Sequence, residues 1–171
     1  NVVDTVFGDS AKSINDWSQS ALNAYGLSEL SAKKFTSTMG AMLDSMGLSD
    51  AAVADMSTSL AGLSGDMASF YNLDPQEAFD KLRAGISGET EPLKQLGINM
   101  SVANLEAFAL SKGMTKSYDS MTQAEQATLR YQYIMQATAN APGDLAATSD
   151  SLANQQRLLQ KKLSAVSGQM G

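Results

Sequence analysis

The chain has 171 residues, 43% of them hydrophobic, with 18 acidic against 12 basic side chains and a net charge of −6. That length supports one ordinary domain with a sizeable core, and the lack of any Cys or His excludes a disulfide framework, a thiolate metal centre and the commonest general base. No apolar run approaches the roughly 18 residues of a membrane span, and residues 1–70, with eight acids against three bases, should repel nucleic acid.

Along the chain, apolar residues recur at helical spacing and no alternating strand pattern appears, so the expected fold is all-α. Ile14, Trp17 and Ala21 mark the first stripe. Gly26-Leu27-Ser28 ends it and opens the next, which carries Phe35, Met39, Met42 and Met46. The same punctuation returns 21 residues later as Gly47-Leu48-Ser49. In each, Gly can take the left-handed cap, Leu can staple, and Ser can accept from the free amides of the following helix. Val53, Met56, Leu60, Leu63, Met67 and Phe70 then form a third stripe, and the pattern reads as consecutive helical hairpins. With ten Met in the chain, these faces predict a pliable core; an adaptable groove for a partner helix is the alternative use of such side chains. Gly62-Leu63-Ser64-Gly65 lacks the strand and Lys of a phosphate loop and reads as a close helix contact or a break.

The central block opens with Asp74-Pro75-Gln76-Glu77, in which Asp74 caps, Pro75 suits the first helical position, and Glu77 can reach back to complete a capping box. Phe79, Leu82 and Ile86 form its buried side and Gly88 ends it. A short helix then starts near Thr90-Glu91-Pro92, carries Leu93 and Leu96, and stops at Gly97. Ser101 begins another, with Val102, Leu105 and Phe108 on one face and Gly113 as terminator. Residues 114–121 read as a polar loop. Thr122-Gln123-Ala124-Glu125 is a second capping box, opening a helix through Leu129 and Tyr133 that stops near Pro142.

From Asp144 the character changes. Leu145, Leu152, Leu159 and Val166 recur every seven residues with neither Gly nor Pro between Asp144 and Ser167, the outline of a self-association seam. The intervening positions hold Thr148 and Gln155 where Leu would be expected. Residues 1–143 are therefore expected to be a compact multi-helix segment, and 144–171 the start of a coiled-coil-like rod. The opening at Asn1 and the stop at Gly171 inside a helical pattern carry the expectation of a fragment of a longer polypeptide.

The block DPQEAFDKLRAGISGETEPLKQLGIN, Asp74 to Asn99, resembles one found in bacteriophage tail tape measure proteins. The resemblance continues more weakly through SVANLEAFALSKGM, QAEQATLRYQYIMQAT and GDLAATSDSLANQQRLL, collinear over roughly half the chain. Its motif residues are Asp74, Pro75, Glu77, Gly85, Gly88, Glu89, Glu91, Pro92, Leu96 and Gly97. What it implies is a virion structural protein, not an enzyme, that sits in the tail tube lumen, sets tail length during assembly in the host cytoplasm, and leaves ahead of the DNA. The partners it implies are further copies of itself, tail tube and tail tip or baseplate proteins, and assembly chaperones. It implies no cofactor, and this segment is expected to hold neither nucleic acid nor a membrane span.

The enzymatic alternative is a peptidoglycan-degrading module that uses Glu89 and Glu91 as an acid and base pair; the structural reading places both at the N-terminus of the helix near Pro92, where negative charge offsets the helix dipole. A non-phage helical adaptor docking through Leu145 to Val166 is the third possibility. Ser31-Ala32-Lys33-Lys34 fits S-x-x-K without its companion elements and reads as a helix face. In Asn99-Met100-Ser101, a glycosylation sequon by letter, Ser101 reads as a helix cap. Arg130, Arg157, Lys161 and Lys162 are too sparse for a nucleic-acid site and read as solvated or inter-subunit charge.

Overall fold

The computed structural model describes residues 2–139, and the Leu145, Leu152, Leu159 and Val166 seam lies outside them. The fold is all-α: α1 (Val2–Phe7), α2 (Ala11–Tyr25), α3 (Glu29–Ser45), α4 (Asp50–Tyr71), α5 (Pro75–Ser87), α6 (Glu91–Lys94), α7 (Val102–Ser111) and α8 (Gln123–Ala137). Short 3-10 turns at Gly8–Ser10 and Tyr118–Ser120 complete it, and no strand occurs among the described residues.

The starts of these helices follow from local chemistry. Ser28, Ser49, Ser101 and Thr122 each sit in extended backbone with the side chain accepting from the amide three residues on, at Ser31, Ala52, Asn104 and Glu125. Each such cap is worth about 1 kcal/mol. Gly26 and Gly47 both take the left-handed conformation, at φ 71° and 90°, although the turns differ in detail, the Leu27 amide returning to Ala21 and the Leu48 amide to Leu43. Leu27 is fully buried and Leu48 half-buried behind these turns.

The longest helix, α4, is the centre of the N-terminal part, where it packs against α2, α3 and α5. Every residue from Leu60 to Ala68 is buried, so α4 has no solvent face over more than two turns. Helices approach it closely because their contacts are made of small residues. A methyl added at Gly62 would lie 2.9 Å from the Tyr25 ring, and one at Gly65 would fall on the Tyr25 carbonyl oxygen. Gly40 of α3 likewise leaves room for Val6 and Phe7 of α1. The Gly62-Leu63-Ser64-Gly65 segment is thus a close helix contact and not a break. The buried Ser18 and Thr36 enter these interfaces at little cost, because they donate to the carbonyls of Ile14 and Ala32, at 2.8 and 2.6 Å.

Two stripe ends differ from expectation: Phe70 is 50% exposed and Val102 49% exposed. Both stand at the edge of a helix, where the periodic face runs past the neighbour that covers it. Most Met positions do fill the core, with Met39, Met56, Met67 and Met100 buried beside Leu and Phe. The helices after Asp74 join the N-terminal part chiefly through α5 against α4, and Phe79 of α5 also stacks on Phe35 of α3, with centroids 4.3 Å apart and planes 4° from parallel. Burying each ring contributes about 2–3 kcal/mol, and the pairing about 1 kcal/mol more.

Candidate functional site

The Asp74 to Gly97 motif folds into one continuous unit. Asp74 caps α5 by accepting from the Gln76 amide at 3.2 Å, and Pro75 occupies the first turn, where its missing N–H has no partner to lose. The capping box expected with Glu77 is not formed: Asp74 engages the second amide of the helix instead of the third, and Glu77 stays exposed. At the other end Gly88 adopts φ 103°, and the amides of Gly88 and Glu89 return to the carbonyls of Gly85 and Ala84 at 3.1 and 2.9 Å. That left-handed turn reverses the chain so that α6 lies back on α5.

Gly85 is the contact that this reversal needs. A side chain there would overlap Leu93 Cδ1 and meet Met100 Cε at 3.1 Å. Leu93 is fully buried, Leu96 half-buried, and Gly97 takes φ 85° to release the chain toward Ile98. Lys81 Nζ donates to Gln95 Oε1 at 3.0 Å across the outside of the same pair. Of the ten motif residues, Asp74, Pro75, Gly85, Gly88, Leu96 and Gly97 act in capping, turning and packing. Glu91 stands in the first turn of α6 and Pro92 beside it, the place expected for an acid that offsets a helix dipole. Glu89 and Glu91 are both exposed on the outside of the turn, not gathered in a cleft. Among the described residues, no group of three or more acidic side chains is placed to hold a metal ion.

What locks this unit to the last helix is a residue whose sequence reading has to be corrected. Arg130 is not solvated charge: it is 5% exposed, with Nε donating to the Ile86 carbonyl at 2.9 Å and Nη1 bonded to the Tyr118 hydroxyl. A cation at the carbonyl end of α5 both satisfies an open acceptor and meets the negative pole of the helix. Gly88 lies alongside, so that a methyl there would sit 3.9 Å from the guanidinium. The signal was present in the spacing, since Ala127, Arg130 and Ile134 share the buried face of α8. Its charge, taken alone, points outward.

Tyr118 in turn is held at three points. Its amide donates to Glu106 Oε2 at 2.9 Å, its carbonyl accepts from Gln126 Nε2 at 2.8 Å, and its hydroxyl meets Arg130. The stretch read as a polar loop therefore contains an anchored turn, and Met121 beneath it is buried. Thr122 and Glu125 close the expected capping box, at 2.9 and 3.1 Å. Asn99 accepts the Ser101 amide on its side-chain oxygen at 3.2 Å, and its carbonyl accepts the Tyr133 hydroxyl at 2.7 Å. The sequon letters thus serve as a cap and a tie to α8.

Open apolar grooves lie on this framework, two of them among the described residues. One, of about 610 Å³, lies between α1 and α3 over Val3, Val6 and Ala41, with the 78% exposed Leu30 and the Lys33 and Lys34 stems at its edge. Lys33 is paired with Glu29 at 2.9 Å and Lys34 donates to Gln76 at 3.3 Å, so both ammonium groups already have partners within the fold. The second groove follows α8. A section of about 240 Å³ at Ala124, Glu125, Thr128 and Leu129 shares Met114 and Gln132 with a section of about 590 Å³ at Phe108, Lys112, Tyr131 and Met135. Neither groove gathers a constellation for bond making; both offer shape and apolar area. Compared with known proteins, the chain matches no family profile, and no curated protein or solved structure is significantly similar to it.

Proposed function

We propose that this chain is a segment of a phage tail tape measure protein, with a structural role and no catalytic one. The observation that carries the reading is the use made of the Asp74 to Gly97 motif: Asp74 starts α5, Gly88 and the Gly85 contact fold α6 back onto it, and Gly97 releases the chain. A block that resembles a tail protein family and spends its distinctive residues on shape suits a part selected for assembly. In this role the segment occupies the tail tube lumen, contributes to setting tail length in the host cytoplasm, and is released before the DNA. Its partners are other copies of the polypeptide, the tail tube, the tail tip or baseplate, and assembly chaperones.

The exposed Glu89 and Glu91 suit helix-end electrostatics better than glycoside cleavage, which needs two carboxyl groups flanking a bound sugar. The deciding experiment is a stop codon early in the gene of the encoding phage, with electron microscopy of the particles and mass spectrometry of purified wild-type tails. Tails should be missing or of uncontrolled length in the mutant, and the polypeptide should be present in wild-type tails. Tails of normal length in the mutant would discard the reading.

A further inference from the structure

The groove along α8 leads directly to the point where the described chain ends, and its dimensions and charge select an occupant. We propose that it receives the Leu145, Leu152 and Leu159 face of the same chain, packed as an antiparallel helix against α7 and α8. The inference does not rest on the tail reading, and it makes the chain itself, not a second copy, the partner of this seam in the isolated protein.

Proximity is the first argument. Met135 and Gln136 line the groove within one turn of Ala139, and Asn140-Ala141-Pro142-Gly143 follows, a sequence suited to stopping one helix and reversing the chain. The cost of bringing the seam to the groove is the closure of a very short loop. Any second copy must give up translational freedom to compete.

Length is the second. The 15 residues of α8 run about 22 Å, and Leu145 to Leu159, taken as helix, covers about 21 Å. Pairing Ala139 with Asp144 across the reversal sets Leu145 near Thr138, Leu152 near Tyr131, Gln155 near Thr128 and Leu159 near Ala124. The Leu residues then meet the apolar lining made by Met135, Tyr131 and Leu129, and Gln155, the polar interruption of the seam, falls beside the hydroxyl of Thr128.

Charge is the third, and it fixes direction. Lys112 lies at the end of the groove near Ala139, with its ammonium 5.4 Å from the Phe108 ring centre, and Glu125 lies at the far end. In the antiparallel register the acids Asp144 and Asp150 fall toward Lys112, and this end alone carries the charge argument, because Glu125 is already paired with Lys116 at 2.8 Å. A parallel arrangement carries Asp150 away from Lys112.

The chain has no Cys, so an introduced pair reports geometry without interference. In the full 171-residue chain, Thr128→Cys with Gln155→Cys should close an intrachain disulfide under mild oxidation, at a rate independent of protein concentration, because such a bond requires Cα atoms within about 7 Å. Thr128→Cys with Asp144→Cys, held about 16 Å apart by the same register, should close at least tenfold more slowly. As a readout without engineered thiols, Leu152→Asp should speed amide exchange of residues 128–136 about tenfold while leaving α4 protected. Disulfides formed only between chains would assign the seam to a second copy and overturn the proposal. Equal closure of the two pairs, or failure of the first pair in a chain with unchanged helical circular dichroism, would overturn it as well.

Discussion

The four helices of residues 2–71 and the four of residues 75–137 are held together by different means. In the first part side chains are subtracted: Gly40, Gly62 and Gly65 let neighbouring helices approach closely, and the buried Ser18 and Thr36 return their protons to their own helix. In the second part Gly85 makes one such contact against Leu93, but the helices are shorter and polar side chains pin their ends, with Arg130 and Tyr118 joining α5, α8 and the turn between α7 and α8. Close packing is intolerant of added volume, whereas a polar clamp is intolerant of losing one partner. The first part should therefore be the more sensitive to added volume, and the second, outside its Gly85 contact, to the loss of a polar partner.

The largest effect is expected where they meet. Phe79→Ala removes a 2% exposed ring stacked on Phe35 and should cost about 4 kcal/mol in chemical denaturation. Both parts should then lose protection together in hydrogen exchange. If α2 to α4 kept full protection, the packing of α5 on α3 and α4 would not couple the two parts.

Next in size is Gly65→Ala, which places one methyl on the Tyr25 carbonyl. Backbone cannot move aside as a flexible side chain can, so the expected cost is about 3 kcal/mol, although Ala is the better helix former. Exchange should rise first in α2 and α4. A stabilised Gly65→Ala would mean that α2 and α4 do not approach as closely as their small residues allow.

Arg130→Met tests the opposite mode. It keeps the stem and deletes the donors, leaving the Ile86 carbonyl and the Tyr118 hydroxyl without their partner at about 2 kcal/mol. The loss should be local, with faster exchange at the end of α5 and at residues 117–121 while α4 is unchanged. Equal loosening of α4 would erase the distinction between the two parts.

How far the sequence could have led depends on whether a feature is local. The caps at Ser28, Ser49, Ser101 and Thr122, and the stops at Gly88 and Gly97, are set by neighbours within four residues and could be read directly. So could the α-helical class, whereas Gly62 and Gly65 left a close contact and a break both open, because the Tyr25 they meet is distant in the chain. For Arg130 only its place on the buried face of α8 could be read; its partners could not, because they lie 44 and 12 residues away and a lone Arg is ordinarily a surface residue. The box at Asp74 failed for a different reason: two amides compete for the same cap, and Gln76 takes it. Phe70 and Val102 followed the period of their helices past the edge of the core, which periodicity cannot locate.

The smallest expected effect is a pH dependence confined to the second part. The Lys116 ammonium, 2.8 Å from Glu125, and then the Thr122 amide hold the Glu125 pKa down to about 2 from its ordinary 4.5. The unfolded chain therefore takes up this proton at a higher pH than the folded chain does. By linkage, the contribution of Glu125 to stability is complete above about pH 4.5 and fades as the pH falls toward about 2. Both partners are more than 40% exposed, so the effect is modest and should shrink further in high salt. Denaturation of Glu125→Gln and the parent chain across this window isolates it: the difference between them should narrow on acidification, and Gly65→Ala should leave that narrowing intact. A gap that stayed constant down to pH 2 would show that the capping box works through shape alone, which would make the two parts of the molecule more alike than their polar contacts imply.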